Sequence, residues 1–282
     1  MARAFLITVA IAVAAVAMAA CSPTRALNAI ASSDFYELMT VAYGAGERRQ
    51  LDVYTPRAGA ERVRPANGWP LVVFFYGGSW NRGDRAAYRF VGEALAARGI
   101  VTVIPDYRLY PEVRYPDFLK DNAAATAWAL REAARLGADP KRVFVMGHSA
   151  GGYNAAMMAV DTRWLAAEGV KPRQLAGWIE NPDVRPVFLH PDTPPESEPI
   201  RHVSAKVPRT FLGAAPVDDL INPERNTRQM ATQLQSAGVP VTVQFYPRTN
   251  HITLIGAFSA PLRFLAPVLE DVVEFVQERP AR

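Results

Sequence analysis

Two kinds of apolar pattern alternate along this chain. Short continuous apolar runs at residues 71–76, 100–104, 143–146, 175–179, 210–212 and 239–246 predict strands, the central ones covered on both faces of a sheet. Between them, apolar residues recur at 3.6-type spacing and predict helices over 85–98, 117–136, 150–168, 224–237 and 262–277. Phe90, Val91, Ala94 and Leu95 mark the buried stripe of the first, and Gly99 and Gly137 stand where the first two should end. Residues 51–54 alternate and predict an outer strand closed by Pro56. Strands alternating with helices of this length predict an α/β fold, a doubly wound and mostly parallel sheet with helices on both faces.

The chain divides simply. Residues 45–282 read as one domain, with a proline-rich acidic lid around 181–203. Ahead of it, residues 22–44 read as a tether. Arg3 followed by an uncharged apolar run over residues 4–20 reads as a secretory signal segment. That run ends in Met18-Ala19-Ala20-Cys21, similar to a bacterial lipobox whose cysteine becomes lipid-modified, with Met18 where leucine is usual. Ala17-Met18-Ala19 offers the alternative of ordinary cleavage. The expectation is an exported protein of the cell envelope, lipid-anchored through Cys21 or periplasmic. Cys21 is the only cysteine, so an intramolecular disulfide and a core thiol nucleophile are both excluded.

Composition narrows the partners. The 282 residues are 50% hydrophobic and 21% charged, as in a globular protein. The net charge of +4 is mild and no basic run interleaves with aromatics, so nucleic acid is not an expected partner.

The candidate chemistry centres on Gly147-His148-Ser149-Ala150-Gly151. A buried strand leads into it and an alanine-rich helix leaves it, so Ser149 falls in a tight strand-to-helix turn with its hydroxyl exposed. A serine hydroxyl is a weak nucleophile and needs a base held by an acid. Of the four histidines, His251 follows the strand 239–246 on a loop near the turn, whereas His148 points elsewhere and His190 and His202 lie in the lid. The acid should lie between Ser149 and His251 in sequence. Asp218 is chosen because Ile221 and Pro223 then follow in a D-x-x-[VI]-x-P pattern, and Asp219 is the reserve. Tyr76-Gly77-Gly78-Ser79-Trp80 ends a central strand with paired glycines, leaving backbone N–H groups uncovered. Gly77 and Gly78, with Ala150, would form an oxyanion hole, each donor worth about 3 kcal/mol of barrier.

With Asp106-Tyr107-Arg108-Leu109-Tyr110-Pro111-Glu112, these motifs resemble the α/β-hydrolases of the bacterial carboxylesterase/lipase type, a group with hormone-sensitive-lipase-like and feruloyl-esterase-like members. The resemblance covers residues 45–280 and implies a Ser–His–Asp acyl-enzyme mechanism on a small or medium ester, with no metal and no cofactor. Two departures stand out. Tyr76 replaces the histidine that usually opens the glycine motif, altering one wall of the hole. Trp178-Ile179 runs directly into Glu180-Asn181-Pro182 without the usual glycine-containing segment, which should shorten the strand end beside Ser149. A hydrolase-fold protein that binds rather than turns over, or an aryl-formamide amidase, are the alternatives. Trp80, Tyr107, Tyr110, Trp178 and Phe188 are candidates to line an acyl or aryl site.

Overall fold

The structure, a computed structural model, describes residues 24, 27, 28, 34–57, 63–171, 175–182 and 194–278. The signal-like run, Cys21, Phe188 and His190 lie outside the described residues.

Eight strands form one sheet: β1 (Tyr36–Ala42), β2 (Gln50–Pro56), β3 (Trp69–Phe75), β4 (Val101–Pro105), β5 (Ala138–Ser149), β6 (Leu175–Pro182), β7 (Thr210–Ala214) and β8 (Val241–Phe245). Their order is β1-β2-β4-β3-β5-β6-β7-β8. β2 pairs antiparallel with β1 and β4, and every later neighbour pair is parallel. Every residue of β3 and β4 is buried, as continuous apolar runs in the middle of a two-sided sheet must be.

The helices are α1 (Arg89–Ala97), α2 (Asp117–Glu132), α3 (Ala150–Val160), α4 (Thr162–Ala167), α5 (Gln229–Ser236), α6 (His251–Gly256) and α7 (Val268–Gln277). α1 buries Phe90, Val91, Ala94 and Leu95, the stripe expected of it. α3 is buried along its whole length, which its alanine, methionine and glycine composition permits without leaving a polar face dry. Among the described residues, no helix is long and apolar enough to cross a membrane.

Several boundaries differ from the sequence expectations, the helix expected over 262–277 beginning only at Val268, and three other differences bear on the sheet and the serine turn. β2 is not an outer strand: β1 covers its free edge, formed from residues assigned to the tether. β1 gave no apolar run because it lies at the sheet edge, with Tyr36 its one fully buried residue. The helix expected over 150–168 breaks at Asp161, whose carboxylate leaves α3 and accepts the Arg163 amide to cap α4. Third, β6 is not shortened. Its backbone runs to Pro182 and stays in parallel register with β5, Asn181 opposite His148 and Pro182 opposite Ser149. No glycine-containing segment is needed for the strand to reach the turn.

Candidate active site

Ser149 is the last residue of β5 and immediately precedes α3. Its backbone sits at φ 58°, ψ −126°, a conformation that a side-chain-bearing residue adopts only when its surroundings enforce it. Close packing enforces it here. A Cβ on Gly151 would fall 1.9 Å from the Phe75 carbonyl oxygen, so only glycine lets α3 start hard against the end of β3. The Ser149 side chain remains half-exposed while its neighbours His148 and Ala150 are buried.

His251 opens α6 rather than lying on a loop. Asn250 caps that helix, accepting the Ile252 and Thr253 amides, and Thr253 Oγ1 reciprocates by accepting the Asn250 amide. This capping box fixes the direction in which the His251 ring leaves the backbone. The Asn-x-x-Thr spacing at 250–253 was the sequence signal for it. His251 Nδ1 donates to Asp218 Oδ2 at 2.9 Å, and both side chains are almost fully buried. Asp218 Oδ1 accepts the Leu220 and Ile221 amides, each at 2.9 Å. The carboxylate is thereby held in one orientation and left acceptor-rich, while Asp219 is exposed. Of the two adjacent acids, His251 is joined to Asp218.

His148 links this pair to the serine turn. Its Nε2–H donates to the His251 carbonyl at 2.8 Å, and the two rings lie 4.8 Å apart. Burial, with the nearby His251 adding to it, pushes the His148 pKa down to about 3, so its ring is neutral. His202 is elsewhere: its Nε2 meets the Glu196 carbonyl.

The glycine loop packs on the turn. A Cβ on Gly77 would fall 2.9 Å from both Ser149 Cβ and the His148 carbonyl oxygen. The loop then passes through three successive left-handed residues, Gly78, Ser79 and Trp80, with φ of 134°, 52° and 56°. Trp80 Nε1 donates to Asn154 Oδ1 of α3, pinning the loop to the helix that Ser149 precedes. Burial pushes the Tyr88 phenol up to about 12, and the nearby Gly77 backbone opposes that rise. Gly77, Gly78 and Ala150 remain the candidate donors.

Tyr76 forms no wall of the site. It is fully buried beneath the loop, its hydroxyl donating to Asp106 Oδ1 at 2.8 Å. Tyr107 is likewise buried and donates to the Tyr76 carbonyl, so it supports the loop instead of lining a pocket. Tyr110 is exposed. The Trp178 side chain lies outside the described residues. Past the undescribed part of the lid, Tyr153 of α3 donates to the Ser197 carbonyl, tying that segment to the same helix. Among the described residues, no group of three or more His, Cys, Asp or Glu is arranged to hold a metal ion.

Known proteins share this arrangement of strands and helices. The BD-FAE family model matches residues 51–169, which span β2 through α4. A probable isoprenylcysteine alpha-carbonyl methylesterase, ICMEL1 of Arabidopsis thaliana, is 25% identical over 86% of this chain and 56% of its own length. Carboxylesterase NlhH of Mycobacterium tuberculosis is 45% identical over 44% of this chain and 37% of its own. The chain thus spans only about half, or less, of the length of these relatives. Apo esterase 2 of Thermogutta terrifontis superposes with a TM-score of 0.69 at 25% identity, covering 89% of this chain and 98% of that one. The same esterase has also been captured phosphorylated by paraoxon. The chain therefore has the α/β-hydrolase fold, and over residues 51–169 it is similar to the BD-FAE family and to these esterases.

Proposed function

We propose that the chain is a serine carboxylic ester hydrolase acting on a small or medium ester through Ser149, His251 and Asp218. The observation that carries this reading is the buried Asp218–His251 pair, fastened to the serine turn through His148. With Nδ1 donating to Asp218, the His251 Nε2 is left bare as a base. Ser149 Oγ attacks the ester carbonyl and passes its proton to Nε2. The tetrahedral oxyanion is held by the backbone N–H groups of Gly77, Gly78 and Ala150. His251 returns the proton to the departing alcohol, then activates water to release the acid from the acyl-enzyme. Asp218 keeps the imidazole in the required tautomer and stabilises its charged form. Every step is carried by these residues, with no part for a metal or cofactor. That a structurally similar esterase is phosphorylated by paraoxon supports an activated nucleophile in this chain.

The binding-only alternative rested on a shortened strand beside Ser149, and β6 reaching Pro182 removes that support. Labelling with a fluorophosphonate, followed by peptide mapping, is the test. Modification at Ser149, with loss of labelling and of p-nitrophenyl acetate turnover in Ser149→Ala, is the expected result. A folded protein left unlabelled would overturn the assignment. An ester and aryl-formamide panel then separates esterase from amidase, and we propose that the esters are turned over.

For the segment ahead of the domain we propose export and lipid attachment at Cys21. Incorporation of labelled palmitate in wild type but not in Cys21→Ser is the expected outcome in a bacterial host.

A further inference from the structure

The glycine loop is supported from beneath by a residue no motif singles out. Arg48 lies in the turn between β1 and β2, far in sequence from the loop. Its Nε donates to the Tyr107 carbonyl at 2.9 Å. Its Nη2 donates to the Tyr76 hydroxyl and to the Gly83 carbonyl, each at 2.8 Å. The Tyr76 hydroxyl in turn donates to Asp106, which also accepts the Arg85 backbone amide and its guanidinium. One guanidinium therefore fastens three chain segments: the end of the glycine loop at Gly83, its start at Tyr76, and the residues after β4.

These are the two ends of the loop bearing the left-handed residues Gly78, Ser79 and Trp80. Backbone of that kind persists only where its surroundings over-determine it. Gly83 is packed against the Gly77 carbonyl, since a Cβ there would fall 2.8 Å from that oxygen. A shift of Gly83 is thus passed to Gly77, which itself touches Ser149. The Tyr76 ring, stacked between Tyr88 and Tyr107, leaves the loop start little room to compensate.

We propose that Arg48 is a positioning residue for the oxyanion hole: it sets where the Gly78 amide points relative to Ser149 without touching the substrate. This rests on the hydrolase reading above. Displacements on the order of an ångström at such donors lower turnover by about 100-fold. Substrate affinity, set by other contacts, should be nearly unchanged, so the loss falls on kcat and not on KM.

The experiment compares Arg48→Met, Arg48→Lys, Tyr76→Phe and the control Arg57→Met in p-nitrophenyl acetate turnover and fluorophosphonate labelling. Arg57 makes a surface ion pair with Glu37 and has no link to the loop. Arg48→Met should lower kcat and the labelling rate by about 100-fold with KM within about twofold. Arg48→Lys should recover about tenfold, because an ammonium on its flexible stem cannot hold the guanidinium's acceptors in one fork. Arg57→Met should match wild type. The double variant Arg48→Met/Tyr76→Phe should be no slower than Arg48→Met, the two groups acting as one unit.

Wild type that fails to label at Ser149 overturns the hydrolase reading and this inference with it. Wild type that labels, beside an Arg48→Met protein of equal rate, overturns only this inference. A loss that tracks the unfolded fraction, and is restored by assaying at lower temperature, shows support of the fold alone and also overturns it. Should Arg48→Met fail to fold, Arg48→Lys and Tyr76→Phe decide: kcat unchanged in both overturns the proposal, and kcat lowered at constant KM supports it.

Discussion

The His148 ring donates its Nε2–H to the backbone carbonyl of His251, so the residue before the candidate nucleophile holds the first turn of the helix that carries the candidate base. The histidine in the G-x-S-x-G motif is therefore a strut between two functional elements. Burial keeps that ring neutral, against the hydrogen bond to the His251 carbonyl, which favours the charged form.

A pH dependence of stability follows from that burial. His148 has a folded pKa of about 3 against an ordinary value of 6.5, so below 6.5 the unfolded chain binds a proton that the folded chain refuses. Its contribution is complete above about pH 6.5 and is lost progressively as pH falls toward 3, amounting to roughly 3 kcal/mol by about pH 4. Chemical denaturation at pH 7 and at pH 4 should show that loss in wild type. His148→Gln, which keeps a donor for the His251 carbonyl but does not titrate, should show a smaller one. Equal pH slopes in the two proteins would refute this role.

Asp218 and Asp219 make a paired test within one loop. Asp218→Asn removes the acceptor that fixes the His251 tautomer, and kcat/KM should fall by about 10⁴-fold. Asp219 is exposed, and Asp219→Asn should stay within about twofold of wild type. Steady-state ester hydrolysis of the two variants reads the difference, and the reverse ranking would transfer the acid role to Asp219.

The glycines around the turn should differ sharply in tolerance. Gly151→Ala forces a methyl to 1.9 Å from the Phe75 carbonyl, a backbone atom that has nowhere to go, and soluble folded protein should not be recovered. Gly77→Ala meets Ser149 Cβ at 2.9 Å, so the protein should fold with turnover strongly reduced. Gly169→Ala meets nothing within 4 Å, and only its left-handed backbone, φ 75°, is strained. A loss of about 1 kcal/mol with normal activity is expected there. Circular dichroism and thermal melts of the three rank the effects.

Asn250→Ala isolates the helix cap. It removes the acceptor for two amides at the start of α6 and should lower stability by about 1 kcal/mol. Because His251 is the next residue, kcat should fall further than that loss of stability explains. Asn250→Asp, which also caps, should restore most of it. Denaturant midpoints measured beside kcat separate the two effects.

The fold class was legible because a parallel sheet buried on both faces writes itself as continuous apolar runs. β3, β4 and the centre of β5 are such runs, and every residue of β3 and β4 is indeed buried. The serine turn was legible for a similar reason, since glycine is required at fixed offsets wherever backbones meet within a side chain's width. Edge elements carried no such signature. β1 exposes most of its side chains, and the turn bearing Arg48 is polar, so neither stands out from an ordinary surface loop.

By itself, then, the sequence determined the alternating α/β architecture, Ser149 in its strained turn, and an order of Ser, Asp and His along the chain, because each is a local property of spacing and residue type. Tertiary structure decided which of two adjacent acids His251 meets, that Tyr76 lies under the loop, and that Arg48 reaches it. Those are contacts between residues far apart in the chain, and their existence depends on which side chain the folded sheet brings within about 3 Å of which partner.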